Sequence, residues 1–209
     1  MRVIFDDAEL LSDAATLEQG LRAGTERAEE LGRLIVEVIA DGEPLPGELL
    51  DDPSSHAGSF AELRMTSAEP AAFLRVTLME AADALEQARA EQLLAADHID
   101  QGRAPDAFQA LGVALGVWDA VRDLVQRVSQ LLGFDLTEAS VVVRGEEIRV
   151  DESVASLSRQ LEEVRRCVAA EDLSGLADAL RFELSEEAGR WRYLLTGLAE
   201  AVRSAQGEQ

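Results

Sequence analysis

Two histidines, one cysteine and a scatter of adjacent carboxylates are the residues of this 209-residue chain with chemistry of their own. His98 sits in AADHID with Asp97 and Asp100, near the end of a helical pattern. An imidazole and carboxylate oxygens can ligate a metal, but helical ligation uses i, i+4 spacing, and the adjacent Asp97 points to another face. A protonated imidazole favoured by the helix dipole is the simpler reading. His56, in PSSHAG, falls in a loop, and Ser54 and Ser55 beside it do not make a nucleophile elbow. Cys167 follows Arg165 and Arg166, which would lower the pKa of an exposed thiol, but Val164 and Val168 place it at the margin of a core. Being alone, it forms no intramolecular disulfide. Pairs such as Asp6-Asp7, Asp51-Asp52 and Glu186-Glu187 arise by chance among 41 acidic residues and mark solvated faces. No Glu-x-x-His pattern, P-loop, dinucleotide fingerprint or Cys-x-x-Cys occurs. The reading is no catalytic residue, no cofactor and no metal. A metal-dependent hydrolase resting on His56, His98 and scattered acids is the enzymatic alternative.

Composition narrows the partners. The net charge is −22, from 41 acidic and 19 basic residues, and every basic residue is arginine. Such a surface repels nucleic acid phosphates and anionic lipid; the simpler reading of it is solubility, and it also suits a basic protein partner. Without lysine there is no Schiff-base or P-loop amine, while arginine forks can still pair with carboxylates. The N-terminal MRVIFDDAEL holds no leader-like apolar run, and no stretch approaches a membrane span, so the expectation is a cytoplasmic protein.

These residues must be positioned by elements that the periodicity suggests. RVIF (2–5) reads as a strand running into a helix over about 9–31, weakened by Gly20 and Gly24 and stopped at Gly32. Leu34 to Ala40 reads as a strand buried on both faces or central in a small sheet, with Asp41-Gly42 turning the chain. Residues 43–59 form a loop with a helical turn at 47–51, and FAELRM (60–65) a further strand. Thr66 to Glu69 fits a capping box opening a helix that stops at Gly102. A second helix starts near Pro105 and ends at Gly133. SVVVRGEEIRV (140–150) switches to hairpin periodicity, expected to dock on the N-terminal strands or a partner chain. A third helix is capped by Asp151 or Ser153, a fourth by Asp172 or Ser174, and the last residues fray.

In QALGVALGVWDAV (109–121), Gly112 and Gly116 interrupt a helix at a cost of about 1 kcal/mol each. Four apart, they share a face. The expectation is a close helix crossing with Phe108 and Trp118 beside the notch, either against Ala88, Ala95 or Ala96 or between subunits. Trp191 falls on an inner face, while Arg190, Arg192 and Tyr193 around it make one of the few basic, aromatic spots on an acidic protein, a candidate partner contact.

The second half, over about 70–205, resembles flagellar export chaperones in layout. The likeness lies in a helix, a short GRAPD turn and a helix, followed by RRCVAAEDLSGLADALRFELSEEAGRW. The resemblance implies part of an antiparallel bundle. The N-terminal strands and the 140–150 hairpin depart from that layout, and it carries over no binding residues.

The fold expected is α+β, mainly α. Two antiparallel helical hairpins resemble a four-helix bundle and accompany a small antiparallel sheet. The domains expected are a small α+β region over 1–66 and a bundle over 67–209 interrupted by the hairpin. The function expected is a non-enzymatic acidic adaptor or chaperone-like protein that binds a protein partner through a helical groove, with Leu45 and Leu49 in a segment that gates it. The alternative is a structural homodimer with helix or strand pairing between subunits.

Overall fold

The computed structural model describes residues 1–11, 13–55, 60–132, 139–143 and 145–206. It is an α+β protein, mainly α, with a small mixed sheet and a separate two-stranded sheet. The chain divides into two compact units, Met1–Phe73 and Leu74–Gln209. No helix among the described residues is long and apolar enough to cross a membrane. Gly133 and Gly207–Gln209 lie outside the described residues.

The first unit contains β1 (Arg2–Phe5), β2 (Ala8–Leu10), α1 (Leu17–Glu30), β3 (Leu34–Ala40), β4 (Glu43–Pro44), α2 (Gly47–Asp51) and β5 (Glu62–Ala68). The sheet order is β2-β1-β5-β3-β4. It is mixed rather than antiparallel, because β1 and β5 run parallel. A parallel pair needs a long crossover, and the chain from Asp6 to Ala61 supplies it.

The central strand β5 is held at both ends by an aspartate from a two-residue turn. Asp6 and Asp7 both have positive φ, closing β1 onto β2, and Asp41 and Gly42 do the same for β3 and β4. That is the backbone of hairpin turns whose twist matches their strands. Asp41 Oδ1 accepts from the amides of Ala61 (2.9 Å) and Glu62 (2.8 Å) at the start of β5. Asp6 accepts from the Ser67 amide (2.7 Å) and hydroxyl (2.6 Å) at its end. Arg33 completes the relay by donating through Nε to the Ser67 hydroxyl (2.6 Å). Burial raises the Asp6 carboxyl, but the Ser67 hydrogen bonds and the Arg33 guanidinium outweigh it and hold it below the ordinary aspartate range.

Three local expectations yield to this sheet. Asp6-Asp7 turns a hairpin instead of opening a helix, so α1 starts at Leu17, capped by Thr16. The capping box at Thr66 does not form. Residues to Ala68 are bound into β5, Thr66 donates to Glu37 on β3 at 3.4 Å, and the next helix begins at Pro70. Nor is β3 buried on both faces. It lies next to the two-residue β4, its register shifts between Ile35 and Glu37, and Val36 and Glu37 are exposed.

Val3, Phe5, Leu17, Leu63 and Met65 form the first core. Gly20 and Gly24 let α1 lie directly on it: a Cβ on Gly20 would come within 2.9 Å of Leu63 Cδ2, and one on Gly24 would strike Met65. Leu45 is buried in the same core and Leu49 packs against it, so this segment helps to fill a sheet core.

The second unit contains the rest of α3 (Pro70–Asp100), then α4 (Ala104–Leu132), β6 (Ser140–Val143), β7 (Glu146–Arg149), α5 (Val150–Ala169), α6 (Leu173–Asp178) and α7 (Leu184–Gln206). Gly102, at φ +70°, turns α3 into α4, a conformation open mainly to glycine. Leu78, Leu85, Leu111, Trp118, Leu157, Leu184 and Trp191 contribute to one continuous core. Val76 and Met79 of α3 and Phe108 of α4 are exposed. The β6–β7 hairpin forms a sheet of its own and packs on α7, where a Cβ on Gly197 would come within 3.0 Å of Val141. α5 follows β7 directly, with neither Asp151 nor Ser153 as its cap; the Ser153 hydroxyl instead donates to the Arg149 carbonyl at 2.8 Å. Asp172 does cap α6, accepting from the Gly175 amide at 2.9 Å. The expected single fourth helix is divided by a π-helical stretch at Ala179–Glu183, where Phe182 is 63% exposed and Arg181 reaches Asp97 and Asp100. One extra residue in a helical turn rotates the faces before and after it, which is how such stretches re-aim side chains.

Two measurements follow from these contacts. Gly197→Leu should destabilise the second unit by about 1–3 kcal/mol through overpacking, whereas Gly112→Ala with Gly116→Ala should stabilise it by about 1–2 kcal/mol through helix propensity; urea denaturation reads both. The depressed Asp6 carboxyl contributes stability that is complete above the ordinary aspartate range and lost as pH falls through its lower folded value. Asp6→Asn should lower stability at neutral pH and flatten the acid limb of that profile.

Candidate functional site

Gly112 and Gly116 lie one turn apart on α4, and both are exposed. A Cβ at either position would meet nothing within 4 Å. The close crossing expected within the chain is therefore absent among the described residues. Ala88, Ala95 and Ala96 are buried, but none abuts these glycines. The cause is the arc that α4 turns inward, through Ala107, Leu111, Ala114, Trp118 and Val121. At about 100° per residue, Trp118 projects from the side opposite Gly116.

The bare glycine face adjoins two apolar depressions. One, of about 450 Å³ between α4 and α5, is lined by Gly112, Phe108, Leu115, Leu161 and Val168, with Asp119 and Arg165 as its charged members. The other, of about 500 Å³ between α3 and α4, is lined by Gly116, Ala81, Ala84, Val117 and Leu124, with Glu80 as its charged member. Phe108 is 45% and Val113 53% exposed on this helix.

A third depression differs in chemistry. It measures about 810 Å³ and runs between α5 and α7, with Arg89 of α3 and three residues of β7 at its margin. Arg190 and Tyr193 line it, together with Arg149 and Arg159 from α5 and its N-cap. Arg192 does not; it reaches Glu86 on α3 at 3.5 Å. The structure thus joins two of the three expected contact residues of α7 and separates the third. Arg89, Arg149 and Arg159 come from separate places in the sequence, and no local motif signals their convergence.

Beside this cleft lies a buried polar knot. Glu187 accepts from the Ser156 hydroxyl (2.9 Å) and from the Trp191 indole N–H (3.1 Å). Trp191 meets Trp118 edge to face, with ring centroids 6.1 Å apart and planes at 85°. Arg190 approaches Glu187 at 3.8 Å. A buried carboxylate so engaged fixes α7 against α5.

The other reactive side chains have structural occupations. Cys167 is buried, and burial together with the Glu163 carboxylate pushes its thiol up; Arg166, expected to activate it, is engaged by Glu163. Asp97 and Asp100 both accept from Arg181, at 3.0 and 2.8 Å, and not from His98 between them. His56 lies outside the described residues. Among the described residues, no group of three or more His, Cys, Asp or Glu side chains stands together to hold a metal ion. Comparison with protein-family models, curated proteins and solved structures found no match.

Glu187→Ala should cost about 1–3 kcal/mol by leaving the buried Ser156 hydroxyl and Trp191 N–H without an acceptor. Glu187→Gln, which keeps a carbonyl oxygen, should cost less. Urea denaturation followed by tryptophan emission measures both.

Proposed function

We propose that this chain is a cytoplasmic, non-catalytic acidic adaptor or chaperone-like module that binds a protein partner through a helical groove. The observation that carries the reading is the open face at Gly112 and Gly116, with apolar depressions on both sides of α4. Two glycines that cost helix stability and fill no contact within the chain fit a face kept bare for close approach by another backbone. The partner in this reading is an amphipathic helix laid across α4, with apolar anchors for both depressions. Its flanks are basic, because the chain carries −22. In the same reading α3 with α4 and α5 with α7 are two antiparallel hairpins of one bundle, the arrangement that the layout resemblance to flagellar export chaperones implies.

A second copy of the chain is the competing occupant, and the repulsion between two strongly acidic surfaces weighs against it. Gly112→Leu with Gly116→Leu fills the bare face without touching the core, so the melting temperature should hold or rise. The double variant should lose a basic protein that the native chain retains from a lysate and then binds as a purified component. Equal retention by both chains overturns the reading. A native dimer in light scattering that the double variant converts to monomer establishes the homodimer instead.

A further inference from the structure

We propose that the cleft between α5 and α7 is a binding site for a small polyanion, recognised through phosphate or carboxylate oxygens. It is a different place from the glycine face and does not depend on that reading.

Four of its fourteen lining residues are arginine, against 19 basic residues in the whole 209-residue chain. On a molecule with more than twice as many acids as bases, solvent-exposed arginines readily find carboxylates. In this cleft they are only partly so occupied. Arg149 is held by Asp151 at 2.9 Å and also approaches Glu152 at 3.7 Å. Arg89 gives its Nε to the Ser185 hydroxyl at 2.9 Å and keeps one longer contact, to Glu86 at 3.6 Å. Arg159 makes no hydrogen bond or ion pair among the described residues, and Arg190 has only its 3.8 Å approach to Glu187. The cleft is also lined by Glu147, Glu152 and Glu186, and among the described residues none of them pairs with Arg159.

Arginines of α3, α5 and α7 with unused N–H groups line one depression, and arginine binds phosphate and carboxylate through its forked N–H groups. Arg89 and Arg190 are the pre-positioned members, Arg89 by Ser185 and Arg190 by the turn of α7 that carries buried Glu187 and Trp191. Arg159, exposed on α5 and without a partner among the described residues, is the donor left for the ligand. Tyr193 adds an aromatic face at the same wall. At about 810 Å³ the cleft lies within the usual range for small-molecule sites.

The experiment is isothermal titration of the full chain with inorganic pyrophosphate and, separately, citrate. Saturable 1:1 binding of either supports the site; pyrophosphate alone assigns phosphate and citrate alone assigns carboxylate as the recognised group. Arg159→Ala should weaken the binding by about tenfold, the size of one lost charge-assisted hydrogen bond. Arg159 is exposed, so the variant should keep its native circular dichroism and melting temperature. Arg75→Ala, on an exposed part of α3 outside the cleft, should bind as the native chain does. No saturable binding of either probe, or equal loss in the Arg159 and Arg75 variants, overturns the proposal.

Discussion

The helical unit turns on the edge-to-face contact of Trp118 with Trp191. Both rings are fully buried, so two of the largest side chains in the chain meet at the point where α4 and α7 share a core. An aromatic pair in this geometry adds about 0.5–1.5 kcal/mol beyond the area it buries. The greater effect is geometric. The Trp191 N–H ends on Glu187, and Glu187 in turn receives Ser156, so one ring fixes the rotation of α7 and its register on α5. That rotation decides which of Arg190, Arg192 and Tyr193 reach the cleft and which face α3.

The positions of most elements were legible in the sequence, because they follow from local signals. Asp41-Gly42 predicts its hairpin turn, Gly102 ends α3, and Asp172 caps α6. What failed was decided by partners distant in the chain. Thr66 to Glu69 has the residues of a capping box, but sheet pairing and the Asp6 carboxylate claim that segment first. Asp6-Asp7 resembles the acidic opening of a helix, and only the pairing of Phe5 with Ala8 makes it a turn. The parallel pairing of β1 with β5 has no local signature at all.

Glycine carried the most instructive misreading. Gly20 and Gly24 have the same four-residue spacing as Gly112 and Gly116, yet the first pair is pressed against a sheet and the second is bare. Spacing alone says that two glycines share a helix face; it does not say which face the core will take. On α4 the larger residues, Leu111, Trp118 and Val121, take it. The arginine cleft was half legible for a related reason. Arg190 and Tyr193 stand out beside Trp191, whereas Arg89 and Arg159 join them only through packing between helices. Surface ion pairs elsewhere, such as Arg103 with Asp106 and Arg122 with Asp119, are exposed neighbours on one helix and contribute little to stability.

The seating of Val141 against Gly197 bears on the order in which the protein assembles as it is synthesised. Two strands alone hold together poorly in water, and the surface that receives β6 lies more than fifty residues nearer the C-terminus. A nascent chain that has released α3, α4 and the hairpin still lacks the helix against which the hairpin rests. Until α7 emerges, Val141 has no permanent seat, and the second unit closes only after α7 has been made.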